Sequence, residues 1–469
     1  MSVIIKKLSA FIRLFKQAVK GDTQDYTSGS IDRAIILLSI PMIIEMSMEA
    51  LFAVVDVFFV SQLHDNDAVA TVGLTESILT LIYSLAMGLS MGATAMVARR
   101  VGEKDIKGAQ VAAVQAIYLG IGISVIVSVV GIFFSEDLLR LMGASELLIE
   151  KNSGYTKWMF TGNITIMLLF LINGVFRGAG DASIAMKSLL LANGLNIVLD
   201  PVFIFGLGPI PSFGVEGAAI ATNIGRGTGV LFQLYHLFRG KSLIKLHSAN
   251  IAVLWNIIGR LVKVSAGGTG QFLIGSASWI FLVRIMSDFG SEAVAGYTIA
   301  IRVIVFAILP AWGMANAAAT LVGQNLGAGH PERAEKSVWR TSFFNLIFLA
   351  VVTLLFFSLA KPILHLFTTD PDVLRNGIQC LKIVSLGYIF YAYGMVVGQS
   401  FNGAGDTRTP TIISFFGFWI FQIPLAYAMA NWLGAGTTGV FSAIPIAESL
   451  MAVVSIIIFR QGKWKTIKI

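Results

Sequence analysis

Long apolar runs separated by short charged or turn-rich stretches make up nearly the whole chain, and that alternation dictates most of what it can fold into. Taken between such breaks, the runs lie near 34–63, 68–98, 110–134, 156–177, 184–207 and 215–238, then near 254–286, 292–323, 338–360, 380–401, 410–432 and 437–459. A membrane helix needs about 20 apolar residues, so a dozen spans use about 240 of the 469 residues and leave only termini and short loops. Composition agrees, with 56% of residues hydrophobic and 13% charged, against about a quarter charged in soluble domains. The expected fold is an all-α membrane protein of 12 transmembrane helices.

The runs come in two copies. At an offset of 225, Ala68-Val69-Ala70 aligns with Ala293-Val294-Ala295, Gly88 with Gly313, Val97 with Val322, Gly102 with Gly327 and Ala109 with Ala334. Further on, Phe176, Gly178, Ala179, Gly180 and Asp181 fall on Phe401, Gly403, Ala404, Gly405 and Asp406 without a gap. Six spans is an even number, so both copies enter the membrane in the same direction, related by an axis along its normal. The repeated Gly-Ala-Gly-Asp corners follow the fourth span of each half. Their glycines suit a tight turn and the aspartates can cap the next helix, a structural role.

Several kinds of chemistry are excluded. The single cysteine, Cys380, has no partner for a disulfide within the chain, and His64, His236, His247, His330 and His365 are too scattered for a local metal motif. There is no phosphate loop, since Gly267-Gly268-Thr269-Gly270 lacks the lysine that holds a nucleotide. The net charge of +8 comes mainly from basic residues between apolar runs, where anionic lipid rather than nucleic acid is the expected partner. At the N-terminus, Ile4, Leu8, Phe11, Ile12, Phe15 and Val19 recur at helical spacing opposite Lys6, Lys7, Arg13 and Lys16. That pattern predicts an amphipathic helix on the bilayer surface rather than a signal peptide.

Basic residues also set the orientation. With both termini inside, cytoplasmic segments hold Arg99, Arg100, Lys104, Lys107, Arg239, Lys241, Lys245, Arg333, Lys336 and Arg340, while the opposite loops hold few, such as Arg140, Lys151, Lys157, Lys361 and Arg375. The expected organisation is a cytoplasmic amphipathic segment at 1–30, a first lobe at 31–238, a cytoplasmic linker at 239–253, a second lobe at 254–460 and a cytoplasmic tail at 461–469. Arg226, Arg284 and Arg302 read as ends of spans whose charge reaches the interface.

A carboxylate near the bilayer centre costs about 2.5 to 3.5 kcal/mol on insertion scales, so such residues are rarely idle. Glu45, Glu49 and Asp56 share the first span, within about 60° of one another around its axis. Glu76 lies in the second span, and Asp200 in the fifth, one turn after Asn196. The corresponding stretches of the second half, 266–283 and 410–432, carry no acid, and only Glu448 is deep there. A purely structural need should recur in both copies, so the asymmetry points to chemistry confined to the first half. Pro201 lacks an N–H, which deprives the Ile197 carbonyl of its helical partner and predicts a bend. Asp56, Asn196, Asp200 and Thr222 offer oxygens for a small cation such as Na⁺. The two aspartates are equally suited to take up protons, titrating as a pair.

With Pro41 and Val55-Asp56 in the first span, two F-x-G-A-G-D corners, and Asn196-x-x-x-Asp200-Pro201 followed by Ile204-Phe205-Gly206, the chain resembles the multidrug and toxic compound extrusion (MATE) family from about Ile31 onward. An acid in the fifth span makes it more similar to the DinF-like branch. The resemblance implies a V-shaped pair of six-helix lobes in the plasma (inner) membrane, exporting organic, often cationic or amphipathic compounds by antiport with H⁺ or Na⁺. It needs no cofactor beyond that ion, is not an enzyme, binds no nucleic acid and is expected to act as a monomer among membrane lipids. It further implies a coupling site at Asp56, Asn196, Asp200 and Thr222. Tyr155 and Asn173 match polar positions of the first lobe's cavity, and Glu49 stands where the family can carry glutamine. Glu45 joins these as a cavity candidate. Gln271 replaces an acid of the other branch in the seventh span. Tyr388, Tyr391 and Tyr393 occupy the tenth without an acid, which speaks against a second cation site there. The alternative function is a lipid-linked oligosaccharide flippase of the same superfamily, which would need a cationic cavity for pyrophosphate. An intramembrane enzyme would need a nucleophile–base pair or a metal motif, and a channel would need symmetry about a pore.

Overall fold

A computed structural model describes residues 2–21, 25–240, 242–246 and 252–469. Lys241 and His247 lie outside the described residues, as do the side chains of Ile4, Lys6, Lys7 and Leu8. The elements are helical throughout: α1 (Ser2–Lys20), α2 (Ile31–Ser61), α3 (Asn66–Gly102), α4 (Ile106–Leu141), α5 (Glu146–Thr161), α6 (Asn163–Ala179), α7 (Ala182–Phe205), α8 (Val215–Phe238), α9 (Trp255–Met286), α10 (Ser291–Gly327), α11 (Pro331–His365), α12 (Pro371–Ser385), α13 (Tyr388–Ala404), α14 (Arg408–Ser414), α15 (Ile423–Tyr427) and α16 (Gly436–Arg460). Wider π-helical turns at Phe415–Gln422 and Ala428–Trp432 join α14 and α15 into one span.

Among the described residues nine helices are long and apolar enough to cross a bilayer, or ten when α12 and α13, bent by 60°, count as one span. With α2 and α8 these make the expected twelve, and the fold is the all-α membrane architecture read from the sequence. The copies match in length as well as in motif: α3 and α10 both have 37 residues, α6 and α13 both 17. A 37-residue helix is about 55 Å long, well beyond the hydrocarbon core. The fourth span, expected at 156–177, is longer and broken at Gly162, where a side chain would collide with Asn223, whose amide donates to the Trp158 carbonyl (2.8 Å). Despite Pro201, α7 continues as one helix to Phe205.

The chain divides into two compact units, one of residues 1–24 and 44–269, the other of 25–43 and 270–469. Within the first, α3 packs on α6 and α7 on α8; within the second, α10 packs on α11, α12 and α13. Small residues permit the close approach. A Cβ on Gly178 of α6 would stand 2.7 Å from the Thr94 carbonyl oxygen of α3, and on Gly403 of α13 it would stand 2.2 Å from that of Ala319 on α10. Between α3 and α6, Ser90 and Thr94 also donate to the Phe170 and Gly174 carbonyls (2.7 and 2.9 Å).

Both Gly-Ala-Gly-Asp corners turn through a left-handed glycine, Gly180 at φ 87° and Gly405 at φ 88°, which closes the preceding helix. Their aspartates then diverge. Asp406 accepts from the N–H and hydroxyl of Thr409 (3.1 and 2.6 Å), as a cap should. Asp181 caps nothing on α7. It accepts instead from the Ser242 hydroxyl (2.7 Å) and the Leu243 N–H (3.1 Å), fastening the connection after α8 to the corner. On α1, Phe11, Ile12 and Phe15 are exposed, leaving an apolar stripe uncovered.

Candidate functional site

Asp56, Asn196, Asp200 and Thr222 come together inside the first unit from α2, α7 and α8, all buried. The Thr222 hydroxyl donates to Asp56 Oδ2 (3.1 Å), and Asn196 Nδ2 donates to Asp200 Oδ1 (3.0 Å) and approaches Thr222 Oγ1 (3.4 Å). The two carboxyls lie within hydrogen-bonding reach of each other. Three acceptors at this point, Asp56 Oδ1, Asn196 Oδ1 and Asp200 Oδ2, have no donor among the described residues. Buried acceptors left open are costly, and these share one need: a proton or a cation among them. Tyr155, buried on α5, lies near both aspartates.

A second cluster sits nearby in the same unit. Glu45 Oε1 accepts from Asn173 Nδ2 (3.0 Å) and Arg177 Nη1 (2.7 Å), while Arg177 Nη2 donates to Ser90 (2.6 Å). Asn173 Oδ1 accepts from the Ser188 hydroxyl (3.0 Å) and from Gln233 Nε2 (2.6 Å). Glu45 is thus a buried ion-pair partner. Glu49, less buried, is 3.8 Å from Arg226. The guanidinium of Arg226 lies 4.4 Å from the Phe52 ring centre and 5.4 Å from that of Tyr83, and its field also reaches Asp56.

Arg226 therefore corrects the sequence reading. It is 2% exposed near the middle of α8, held by rings and acids, and does not reach an interface. The signal was present, because position 226 is central in a span of 215–238. Arg284 is exposed in the last turn of α9, as expected of the end of a span, whereas Arg302 is exposed but lies well inside α10 and not at its end. Arg177 was missed altogether. It is the variable residue of the first F-x-G-A-G-D corner, and the second copy has Asn402 there. Gln271 does not join the first-unit cluster. It belongs to the second unit, where it donates to Asn402 (2.9 Å) and to the Thr407 carbonyl (3.2 Å) beside a cavity. Glu76 is half-buried on α3.

A duplicated twelve-span bundle with ionisable groups sunk in one half is the construction of a secondary transporter. The MatE family model matches twice, at residues 41–202 and 270–428, and the chain belongs to this family. It is 27% identical over 436 residues to the probable multidrug resistance protein NorM of Thermotoga maritima, covering 93% of each chain. It is 26% identical to the FAD transporter of Shewanella oneidensis, over 92% of this chain and 95% of that one. A crystal structure of MATE in complex with MaL6 superposes with a TM-score of 0.88 at 29% identity, covering 93% of this chain and 97% of that one.

Proposed function

We propose that the protein exports organic, often cationic or amphipathic compounds in exchange for H⁺ or Na⁺, and that the exchanged ion binds at Asp56, Asn196, Asp200 and Thr222. The observation that carries this reading is the convergence of three donorless buried oxygens on a pair of facing carboxyls. A proton shared by Asp56 and Asp200 would supply one donor. A Na⁺ would instead take the open oxygens as ligands. Either ion neutralises charge and draws α2, α7 and α8 together, which provides a way for ion binding to change the cavity's affinity for cargo. Such coupling is a free-energy difference between states and is reciprocal. Glu49, Glu45, Tyr155 and Asn173 shape the cavity beside the ion site, and the acid in the fifth span supports the DinF-like branch.

The protein works without a cofactor beyond the coupling ion and catalyses no reaction. It acts as a monomer in the plasma (inner) membrane, with lobes at 31–238 and 254–460 and both termini cytoplasmic. The flippase alternative calls for uncompensated cationic side chains, whereas Arg177 and Arg226 each have an acid partner.

The test is efflux of a cationic dye from proteoliposomes under separately imposed proton and sodium gradients. Asp56→Asn and Asp200→Asn should each lower gradient-driven flux by at least about tenfold, as loss of a buried charge interaction worth a few kcal/mol implies. Undiminished flux in both variants rejects the coupling site, and flux that needs ATP rejects the antiport reading.

A further inference from the structure

The second unit contains a cavity of about 300 Å³ bordered by α9, α10, α13, α14 and α16, and beside it another of about 190 Å³. Four residues border both: Trp279, Trp312, Tyr391 and Glu448. Glu448 stands near the middle of α16, half-buried, and no hydrogen-bond or ion-pair partner reaches it among the described residues. Trp312 is fixed by stacking on Phe272, with ring centres 5.6 Å apart and planes 18° apart. The indole N–H groups of Trp279 and Trp312 have no acceptor among the described residues.

The first unit treats the matching position differently. Gly217 of α8 and Gly439 of α16 each press against the backbone of the preceding span, at Phe203 and at Met429–Ala430. Nine residues on from these glycines stand Arg226 and Glu448. Charge is thus reversed at one depth of the two halves. In the first unit the arginine compensates acids of its own unit, while in the second the acid has nothing to compensate it. An isolated carboxylate in the middle of a span is costly and rarely idle. A carboxylate there is compensated by a proton or by a cation from outside the chain.

The walls indicate which kind. An inorganic ion takes a shell of oxygens; the amides bordering the larger cavity, Gln271, Gln399 and Asn402, are bonded to one another, while the residues that border both cavities with Glu448 are two indoles and a phenol. Aromatic faces attract organic cations through their quadrupoles, most strongly when desolvated. The larger volume lies at the small end of ligand pockets. We propose that Glu448, Trp279, Trp312 and Tyr391 form a binding site for a flat aromatic monocation within the second unit. This names a cargo class and rests on the export reading for its place in a transport cycle; the binding itself stands on the cavity alone.

Ethidium is a suitable probe, titrated into the purified full-length protein in detergent and followed by fluorescence anisotropy. Glu448→Gln should weaken binding about tenfold or more, and Trp279→Leu several-fold, as loss of a desolvated charge and a cation–π face implies. Glu448→Asp should retain most of the affinity, and an unchanged thermal transition shows that each variant is folded. Equal affinity in the Glu448→Gln variant, or no ethidium binding by the unaltered protein, overturns the proposal. Efflux that fails while ethidium binding still depends on Glu448 rejects the export reading and leaves this site standing.

Discussion

Glu45 and Arg177 illustrate how residues far apart in sequence set each other's cost. Both are buried, and the pair is closed by Asn173 and Ser90. Removing one member of a buried pair leaves the other uncompensated, a loss of about 3–5 kcal/mol. Arg177→Met should therefore lower the thermal transition of the purified protein markedly, while adding Glu45→Gln should recover much of the loss. A double variant no more stable than the single one argues against the pairing. At this scale the sequence exposes types more readily than partners. Buried acids stand out because carboxylates are rare inside spans, and Asp56, Asn196, Asp200 and Thr222 could be grouped by their oxygens. The Glu45–Arg177 pair spans 132 residues and shows no spacing that would announce it. Arg226 was visible at mid-span, but its rings, Phe52 and Tyr83, come from two other helices.

Helices in this protein are placed by where their backbones can approach, and the same glycines recur in both halves. On α13, a Cβ at Gly403 would lie 2.2 Å from the Ala319 carbonyl oxygen, whereas one at Gly398 meets nothing within 4 Å. Gly403→Ala should destabilise by about 1–3 kcal/mol through overpacking, and Gly398→Ala should be neutral or slightly stabilising through its better helix propensity. Equal transitions in a thermal melt would show that α10 and α13 have slack at that corner. The duplicated corners were legible because five residues repeat in order around one variable position. The breaks at Gly162 and between α12 and α13 were not, since they lie inside continuous apolar stretches and depend on what packs against them. The divergent task of Asp181 was equally hidden, as its partners Ser242 and Leu243 follow two further helices. Burial pushes the Asp181 carboxyl above the ordinary 3.8, outweighing the two hydrogen bonds it accepts. A carboxyl raised in the folded state gives stability that is present below its unfolded value and lost as pH rises through the folded one. Asp181→Asn keeps an acceptor oxygen without the charge. Its melting temperature relative to the unaltered protein should therefore climb as pH rises above the ordinary carboxyl value of 3.8, and a flat difference would contradict the assignment.

Over the whole molecule, duplication supplies two similar frames that hold different side chains: acids beside buried arginines in one, Glu448 beside two indoles and a phenol in the other. For exchange to have a direction, the chain must also sit one way round in the bilayer. Its basic residues decide that, because lysine and arginine in short loops are retained on the cytoplasmic side. The turn from α3 to α4 carries Arg99, Arg100, Lys104 and Lys107, whereas the turn from α4 to α5 has Arg140, bound to Glu146 and Asp137. Cysteine labelling reads this directly. The one native thiol, Cys380, is buried and should stay silent. Met142 is 41% exposed and Lys107 is exposed on the first turn of α4, so a cysteine at either position is open to reagent. In intact cells a membrane-impermeant maleimide should label Met142→Cys, and Lys107→Cys only after the membrane is broken. The reverse pattern would turn the whole bundle over, and with it the direction in which an inward ion gradient drives cargo.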